Sequence, residues 1–282
     1  MTIDGICKVE KEVYSRRVTP FAGGVIGELY LPSSVEEAAR LLAAFCEEAA
    51  DFSVLGGGKN TLIAGRVSRA VCLKKMNAVS VDGNFVTAYA GAPLSSVVCA
   101  AYENSLTGTE ALFGIPGLTG GAVCMNAGAF GTETGDLIES IDILTDDSVI
   151  TLKPEFSYRN CVFPSGIIIS ARFSLAPGNR ADIKARMNYI AAERRKKHPQ
   201  EPSLGSVWKA VGSVPAAVHI EKLSLKGLRV GGAVLSPKHC NFIINTGTAT
   251  AADYIKLMES VEAAAYEKLG ITLKREVRIL YE

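Results

Sequence analysis

Apolar and polar positions alternate between two periods along this chain, and the changes of period mark its elements. Residues 25–32 (VIGELYLP) predict a short strand closed by Pro32. Ser34 then opens S-V-E-E, which predicts a capping box with Glu37 and an Ala- and Leu-rich helix over 35–50. A strand is expected at 52–55, a glycine turn over Gly56–Leu62 and a strand at 71–75, which together resemble a βαβ unit. Residues 85–90 predict a strand, and Pro93 starts a helix over 93–104. Residues 139–145 and 148–153 predict a hairpin across Asp146-Asp147, and the apolar run 166–175 a strand. Pro177-Gly178 marks a boundary. Beyond it come a helix over 181–195, strands at 229–235 and 241–245, and a helix begun by Thr250. Ile255, Met258, Val261 and Ala265 give that last helix its apolar face. The chain ends in an alternating stretch, with Val277, Ile279 and Tyr281 expected on one face of a strand and Glu276 and Arg278 on the other.

Neither period fits Gly114–Gly131 (GIPGLTGGAVCMNAGAFG), which has six glycines in 18 positions and no charge. Repeated Gly and an internal Pro oppose a regular helix, and the glycine content opposes an ordinary strand. Close backbone approach or unusual φ values remain as the use of so many glycines. A ligand-cradling loop, a structural crossover and a linker all stay open, although Ile115, Leu118, Val123, Met125 and Phe130 suit a linker poorly.

Composition narrows the classes. A chain of 282 residues, 48% hydrophobic and 21% charged, has the profile of a globular protein of two or three domains. A formal net charge of +1 gives no global argument for nucleic acid. Seven scattered cysteines without a CxxC pair suit buried thiols in a reducing cytoplasm, with no disulfide framework and no zinc site. No signal core and no apolar run of membrane-spanning length is evident. With three histidines, a multi-histidine metal site is not expected.

Known motifs are mostly missing. There is no GxSxG, HExxH, Walker A loop or dinucleotide GxGxxG. Two glycine turns suit a large phosphorylated or planar cofactor, because backbone N–H groups solvate phosphate well. A serine in a glycine turn, an arginine and a glutamate suit control of a developing anion. The basic run Arg194–His198 reads equally as a solvated helix C-terminus or an anion site.

Taken in order, LGGGKNTLIA (55–64), GAP (91–93), GIPGLTGGAVCMNAGAFG (114–131), FSYRNCVF (156–163), ERRKKHP (193–199), PSLGSVWK (202–209), LKGLRVGGAVLSPKHCNFIINTGTAT (225–250) and REVRI (275–279) span nearly the whole chain. In these stretches the sequence resembles the UDP-N-acetylenolpyruvoylglucosamine reductases, in the shorter class without an extra substrate-covering segment. The resemblance implies an α+β fold: a two-part FAD-binding module of the vanillyl-alcohol-oxidase type plus a C-terminal α+β substrate domain. Expected boundaries are 1–77 and 78–180 for the two FAD-binding subdomains and 181–271 for the substrate domain, with strand 272–282 packing back on 78–180.

The implied activity is NADPH-dependent, FAD-mediated reduction of UDP-N-acetylglucosamine enolpyruvate to UDP-N-acetylmuramate, by a cytoplasmic flavoenzyme of cell-wall synthesis, expected as a monomer with a dimer as the alternative. By the same resemblance Ser206 is the proton donor, and Arg159 and Glu276 stabilise the enolate-like intermediate. FAD would be held by Gly56, Gly57, Gly58, Lys59, Asn60 and Thr61 from the first turn, and by Gly117, Thr119, Gly121, Ala122, Asn126 and Gly131 from the second. Tyr158, Lys197, Lys209 and His239 would serve the substrate, and no metal is implied. Lys59 stands where the family usually has serine, Ala210 where it has asparagine, and Ser224 where it has glycine. Two other classes fit the same glycine turns: a different FAD oxidoreductase, and a non-catalytic nucleotide-sugar-binding protein.

Overall fold

The computed structural model describes residues 5–21, 23–146 and 148–281, so Asp147 of the expected hairpin turn lies outside the described residues. The chain forms two compact units. Unit 1 comprises residues 1–10, 28–57 and 69–194, and unit 2 residues 11–27, 58–68 and 195–282. Residues 1–77, expected as one subdomain, are thus divided between them. Each unit has its own apolar core.

In unit 1 the core is built on a five-stranded antiparallel sheet, in the order Val149–Leu152, Ile138–Leu144, Ile167–Ser174, Phe85–Tyr89, Val79–Asp82. Its central strand, the expected apolar run, is buried at Ile167 through Ala171 and again at Phe173. A strand buried on both sides reads as a continuous apolar run. Helix α1 (Val35–Glu47) is shorter than expected. Its Ser34 caps the Glu37 N–H at 3.2 Å, but the Glu37 carboxylate bonds the N–H of Ser33 at 2.7 Å instead of closing the box on Ser34. The strand Ser53–Leu55 runs parallel to Arg66–Cys72, with Val54 opposite Val71. Helix α2 (Leu94–Glu103) follows Pro93 as predicted.

The glycine-rich stretch holds a helix after all. Helix α3 (Thr119–Cys124) is only six residues long and includes Gly120 and Gly121. The expectation that this stretch excludes regular helix is therefore corrected. Packing overrides propensity here, because a Cβ on Gly120 would lie 2.7 Å from the Ala90 side chain. The helix ends in a Schellman motif: Ala127 N–H bonds Ala122 C=O at 2.8 Å and Asn126 N–H bonds Val123 C=O at 3.0 Å. Asn126 takes the left-handed position, with φ 41°. Helix α4 (Arg180–Lys197) closes the unit and carries its last residues into unit 2.

Unit 2 is built on a four-stranded antiparallel sheet in the order Ser203–Ser206, Phe242–Asn245, Ala233–Leu235, Arg229–Val230. The run 229–235, read as one strand, is a hairpin turning at Gly231-Gly232. At Gly232 a Cβ would lie 2.2 Å from the Ala249 nitrogen, so the turn excludes any larger residue. Helix α5 (Ala216–Glu221) was not legible in the pattern. Helix α6 (Ala251–Leu269) begins at Thr250, whose side chain forms a capping box with Asp253. Met258, Val261 and Ala265 are buried as expected.

The C-terminal strand Arg278–Leu280 pairs in parallel with Thr61–Ile63, Arg278 opposite Thr61, and among the described residues it pairs with no strand of 78–180. Its alternation is also shorter than expected. Val277 and Leu280 are buried while Tyr281 is exposed, because the chain leaves the strand after Leu280.

Candidate active site

The two glycine turns meet within unit 1. A Cβ on Gly57 would lie 3.2 Å from Gly117 Cα, and one on Gly56 would lie 3.5 Å from Gly121 Cα. Bare backbone faces bare backbone, which only glycine permits. The first turn continues into unit 2 at Gly58, with φ 64°, where a Cβ would strike the Val18 carbonyl oxygen at 1.8 Å. Lys59 is exposed and next to it in the chain. Gly117 and Gly131 have φ of 135° and 84°, with open space where a Cβ would stand. These cradles fit a cofactor with an extended diphosphate, held by main-chain groups.

Several of the expected cofactor residues use their side chains on protein. The Thr119 hydroxyl donates to the Ala92 carbonyl at 2.9 Å, and Ala122 is buried among apolar neighbours. The Asn126 amide donates to Glu133 at 2.6 Å and to the Ser157 carbonyl at 3.1 Å, and accepts from Gly135 N–H at 2.8 Å. Asn60 donates its side-chain amide to the Glu276 carbonyl at 3.1 Å, and its own carbonyl accepts from Arg278 N–H at 2.9 Å. The first turn is thereby tied to Glu276 and to the strand that begins two residues after it, with Thr61 in register opposite Arg278.

Unit 2 also brings Ser206 to that segment. Between Ser203 and Ser206 the pairing with Phe242–Asn245 slips by one residue, a β-bulge. Gly205 sits in it at φ 75° with nothing near its missing side chain, so conformation and not space demands glycine. Ser206 ends the bulge one residue before Val207, whose C=O accepts the Glu276 N–H at 2.7 Å. Lys209 N–H bonds the Lys274 carbonyl at 2.8 Å, continuing the same backbone pairing. Ser206 and Glu276 are both half-buried.

A side-chain network lies beneath this pairing. The Trp208 indole N–H donates to Glu262 of α6 at 2.8 Å, and Arg275 donates to both oxygens of the same carboxylate at 2.7 Å. The buried Asn241 side chain spans the Trp208 backbone, accepting from its N–H and donating to its C=O, each at 2.9 Å. None of these supports has a sequence motif. The partners lie 33 and 54 residues from Trp208, so no local pattern signals them.

Arg159 belongs to unit 1, at the tight turn between strands Glu155–Ser157 and Asn160–Val162. It holds φ 56°, a left-handed conformation that costs a non-glycine residue about 1 kcal/mol. Its guanidinium lies 5.1 Å from the centre of the Tyr158 ring, and Tyr158 itself is exposed.

The basic run divides. Arg195, Lys196 and Lys197 are exposed at the end of α4, as suits a helix C-terminus. Arg194 is drawn inward against Gly114, its Nε buried without a hydrogen-bond partner, and burial lowers its pKa. His239 packs edge-on to Phe242 at 4.8 Å between centroids, with His198 at 5.4 Å, and its Nδ1 accepts from Asn241 N–H at 3.3 Å.

Burial lowers the His239 pKa below its ordinary 6.5, so the unfolded chain binds the proton first as pH falls. Unit 2 should therefore lose stability as pH drops below about 6.5. The urea midpoint measured at pH 7.5 and pH 5 should show this loss, and His239→Gln should shrink it; an unchanged difference would remove His239 as its source.

Comparison with known proteins fixes the class first. Residues 28–152 match an FAD-binding domain, and residues 197–280 match the C-terminal domain of UDP-N-acetylenolpyruvoylglucosamine reductase. By these matches the chain is an FAD-dependent oxidoreductase. It is 38% identical over 277 residues to the UDP-N-acetylenolpyruvoylglucosamine reductase of Caldanaerobacter subterraneus subsp. tengcongensis, covering 95% of this chain and 92% of that one. To the Streptococcus pneumoniae (strain CGSP14) reductase it is 42% identical over 269 residues, with coverage of 92% and 89%. The crystal structure of the Thermus caldophilus reductase superposes with a TM-score of 0.85 at 31% identity, covering 97% of this chain and 99% of that one. The chain belongs to the UDP-N-acetylenolpyruvoylglucosamine reductase family.

Proposed function

We propose that this chain reduces the enolpyruvyl ether of UDP-N-acetylglucosamine to UDP-N-acetylmuramate, with FAD bound and NADPH as the reductant. Bound FAD supplies the hydride, which it draws from NADPH. The chain's own residues then have three tasks: to seat the nucleotide sugar, to balance charge beside the substrate carboxylate, and to deliver one proton to carbon. The observation that carries this reading is the Gly205 bulge, which ends at Ser206 one residue before Val207, whose C=O accepts the Glu276 N–H at 2.7 Å.

Hydride addition to the enolpyruvyl methylene leaves negative charge on the adjacent carbon and its carboxylate. Ser206 gives that carbon its proton, and Glu276 and Arg159 stabilise the enolate-like species. Fixed polar groups act most strongly where charge develops only in the transition state. Lys209, Lys197, Tyr158 and His239 bind substrate. FAD is held by backbone at Gly56–Gly58, Gly117, Gly121 and Gly131, with Lys59 adding a cation where the relatives' usual serine adds a hydroxyl.

No helix among the described residues is long and apolar enough to cross a membrane. The purified protein should carry a visible flavin absorption band, and NADPH oxidation should depend on the enolpyruvyl substrate. A colourless protein that takes up no added FAD would overturn the reading in favour of a non-catalytic sugar-nucleotide binder. Substrate-independent NADPH oxidation would favour a different FAD oxidoreductase.

A further inference from the structure

We propose that Asn126 and Glu133 are positioning residues for Arg159, a role that rests on the reading of Arg159 as the cation beside the developing anion. The three form a closed ring within unit 1. Asn126 donates its side-chain amide to Glu133 Oε2 at 2.6 Å, Glu133 Oε1 faces Arg159 Nη1 at 3.9 Å, and Arg159 Nη1 donates to the Asn126 backbone carbonyl at 3.4 Å. Both contacts to Arg159 meet the same nitrogen, so they anchor one end of the guanidinium fork.

The ring explains the direction of the side chain. Tyr158 and Arg159 share one tight turn, yet Tyr158 is 49% exposed while the Arg159 side chain retains 18%. Something must draw a charged group inward, and the Glu133 carboxylate is the anion that faces it. At 3.9 Å the Glu133 carboxylate is within ion-pair range of the guanidinium and biases its orientation.

Each support is itself held. Asn126 is 2% exposed and sits in the left-handed position that ends α3, while its Oδ1 accepts from Gly135 N–H at 2.8 Å. Glu133 also accepts from the Asp136 N–H, as half of a capping box at Thr134–Asp136. The second glycine-rich wall and the Arg159 turn are thus joined through two side chains. A cofactor-cradling segment and an anion-stabilising arginine share one frame.

The bland account is that Asn126 is present only because asparagine tolerates the position ending a helix. Asn126→Gly separates the two, since glycine is preferred there and only the side-chain amide is lost. Glu133→Gln is the second variant: it keeps one carbonyl acceptor for the Asn126 amide and removes the charge that faces Arg159. Both half-reactions are measured anaerobically by rapid mixing, in these variants, in Arg159→Ala and in Arg159→Ala/Glu133→Gln.

Flavin reduction by NADPH should stay within about twofold in Glu133→Gln, and in Asn126→Gly, which alters the cofactor-cradling segment, rates are taken per bound flavin. Oxidation of the reduced enzyme by the enolpyruvyl substrate should slow about 10-fold in Asn126→Gly and in Glu133→Gln, and about 100-fold in Arg159→Ala, the range that misplacing or losing a charged partner commands. In the double variant, Glu133→Gln should add no further loss, because it acts only through Arg159. Multiplying losses in the double variant, or single variants at the wild-type rate while Arg159→Ala is slow, would overturn the positioning role. A wild-type rate in Arg159→Ala would instead remove Arg159 from the reading of the reaction.

Discussion

Ser206→Ala should leave reduction of the flavin by NADPH near the wild-type rate while slowing transfer to the enolpyruvyl substrate about 10²–10⁴-fold, the usual span for loss of a positioned proton donor. The hydroxyl belongs to the last position of a bulged strand, next to Gly205 at φ 75°. It lies one residue before Val207, whose carbonyl holds the Glu276 N–H. Serine is a weak acid in water, so its value as a donor depends on being held against fixed polar partners. Removing one oxygen changes neither the bulge nor the glycine turns, which leaves FAD binding intact. Anaerobic half-reactions followed at the flavin band separate the two steps. Equal slowing of both would contradict the proton-donor assignment.

Glu262→Ala should destabilise unit 2 by about 3 kcal/mol, the scale for stranding hydrogen-bonded charged and buried groups. One carboxylate serves the indole N–H of Trp208 and two nitrogens of Arg275. Trp208 is only 1% exposed, so its N–H would be left without a partner in the core. Arg275 stands next to Glu276, and Trp208 stands next to Lys209, so the loss also loosens two residues of the proposed site. Glu262→Gln keeps an acceptor for the indole and should cost about 1 kcal/mol, the net worth of an ordinary hydrogen bond. The chain has one tryptophan, so its fluorescence reports this unit during urea unfolding. A midpoint unchanged in Glu262→Ala would show that the network contributes nothing.

Much of the fold was legible because its signals are local. Strand 25–31, the helix after Pro93, the hairpin of 138–152 and the cap at Thr250 each follow from neighbouring residues alone. The short strand at Glu155–Ser157 and helix α5 were missed, since three to six residues give too few periods to read. The run at 229–235 was misread as one strand because Gly231-Gly232 is flanked by apolar residues on both sides. The helix inside Gly114–Gly131 was excluded on propensity, yet close approach to Ala90 and Gly56 selected those glycines.

The candidate site divides along the same line. Sequence alone determined the order of the glycine turns, the placement of Ser206 in a glycine setting and the resemblance that joins these stretches to one reductase family. Those properties reside in neighbouring residues and their succession. Only the tertiary structure decided that Asn60 bonds the backbone of Glu276 from 216 residues away, that Asn126 and Glu133 hold Arg159, and that Glu262 supports Trp208 and Arg275. Hydrogen bonds between distant residues leave no period and no spacing in a single chain. They exist only once burial has removed the competing water and fixed both partners in place.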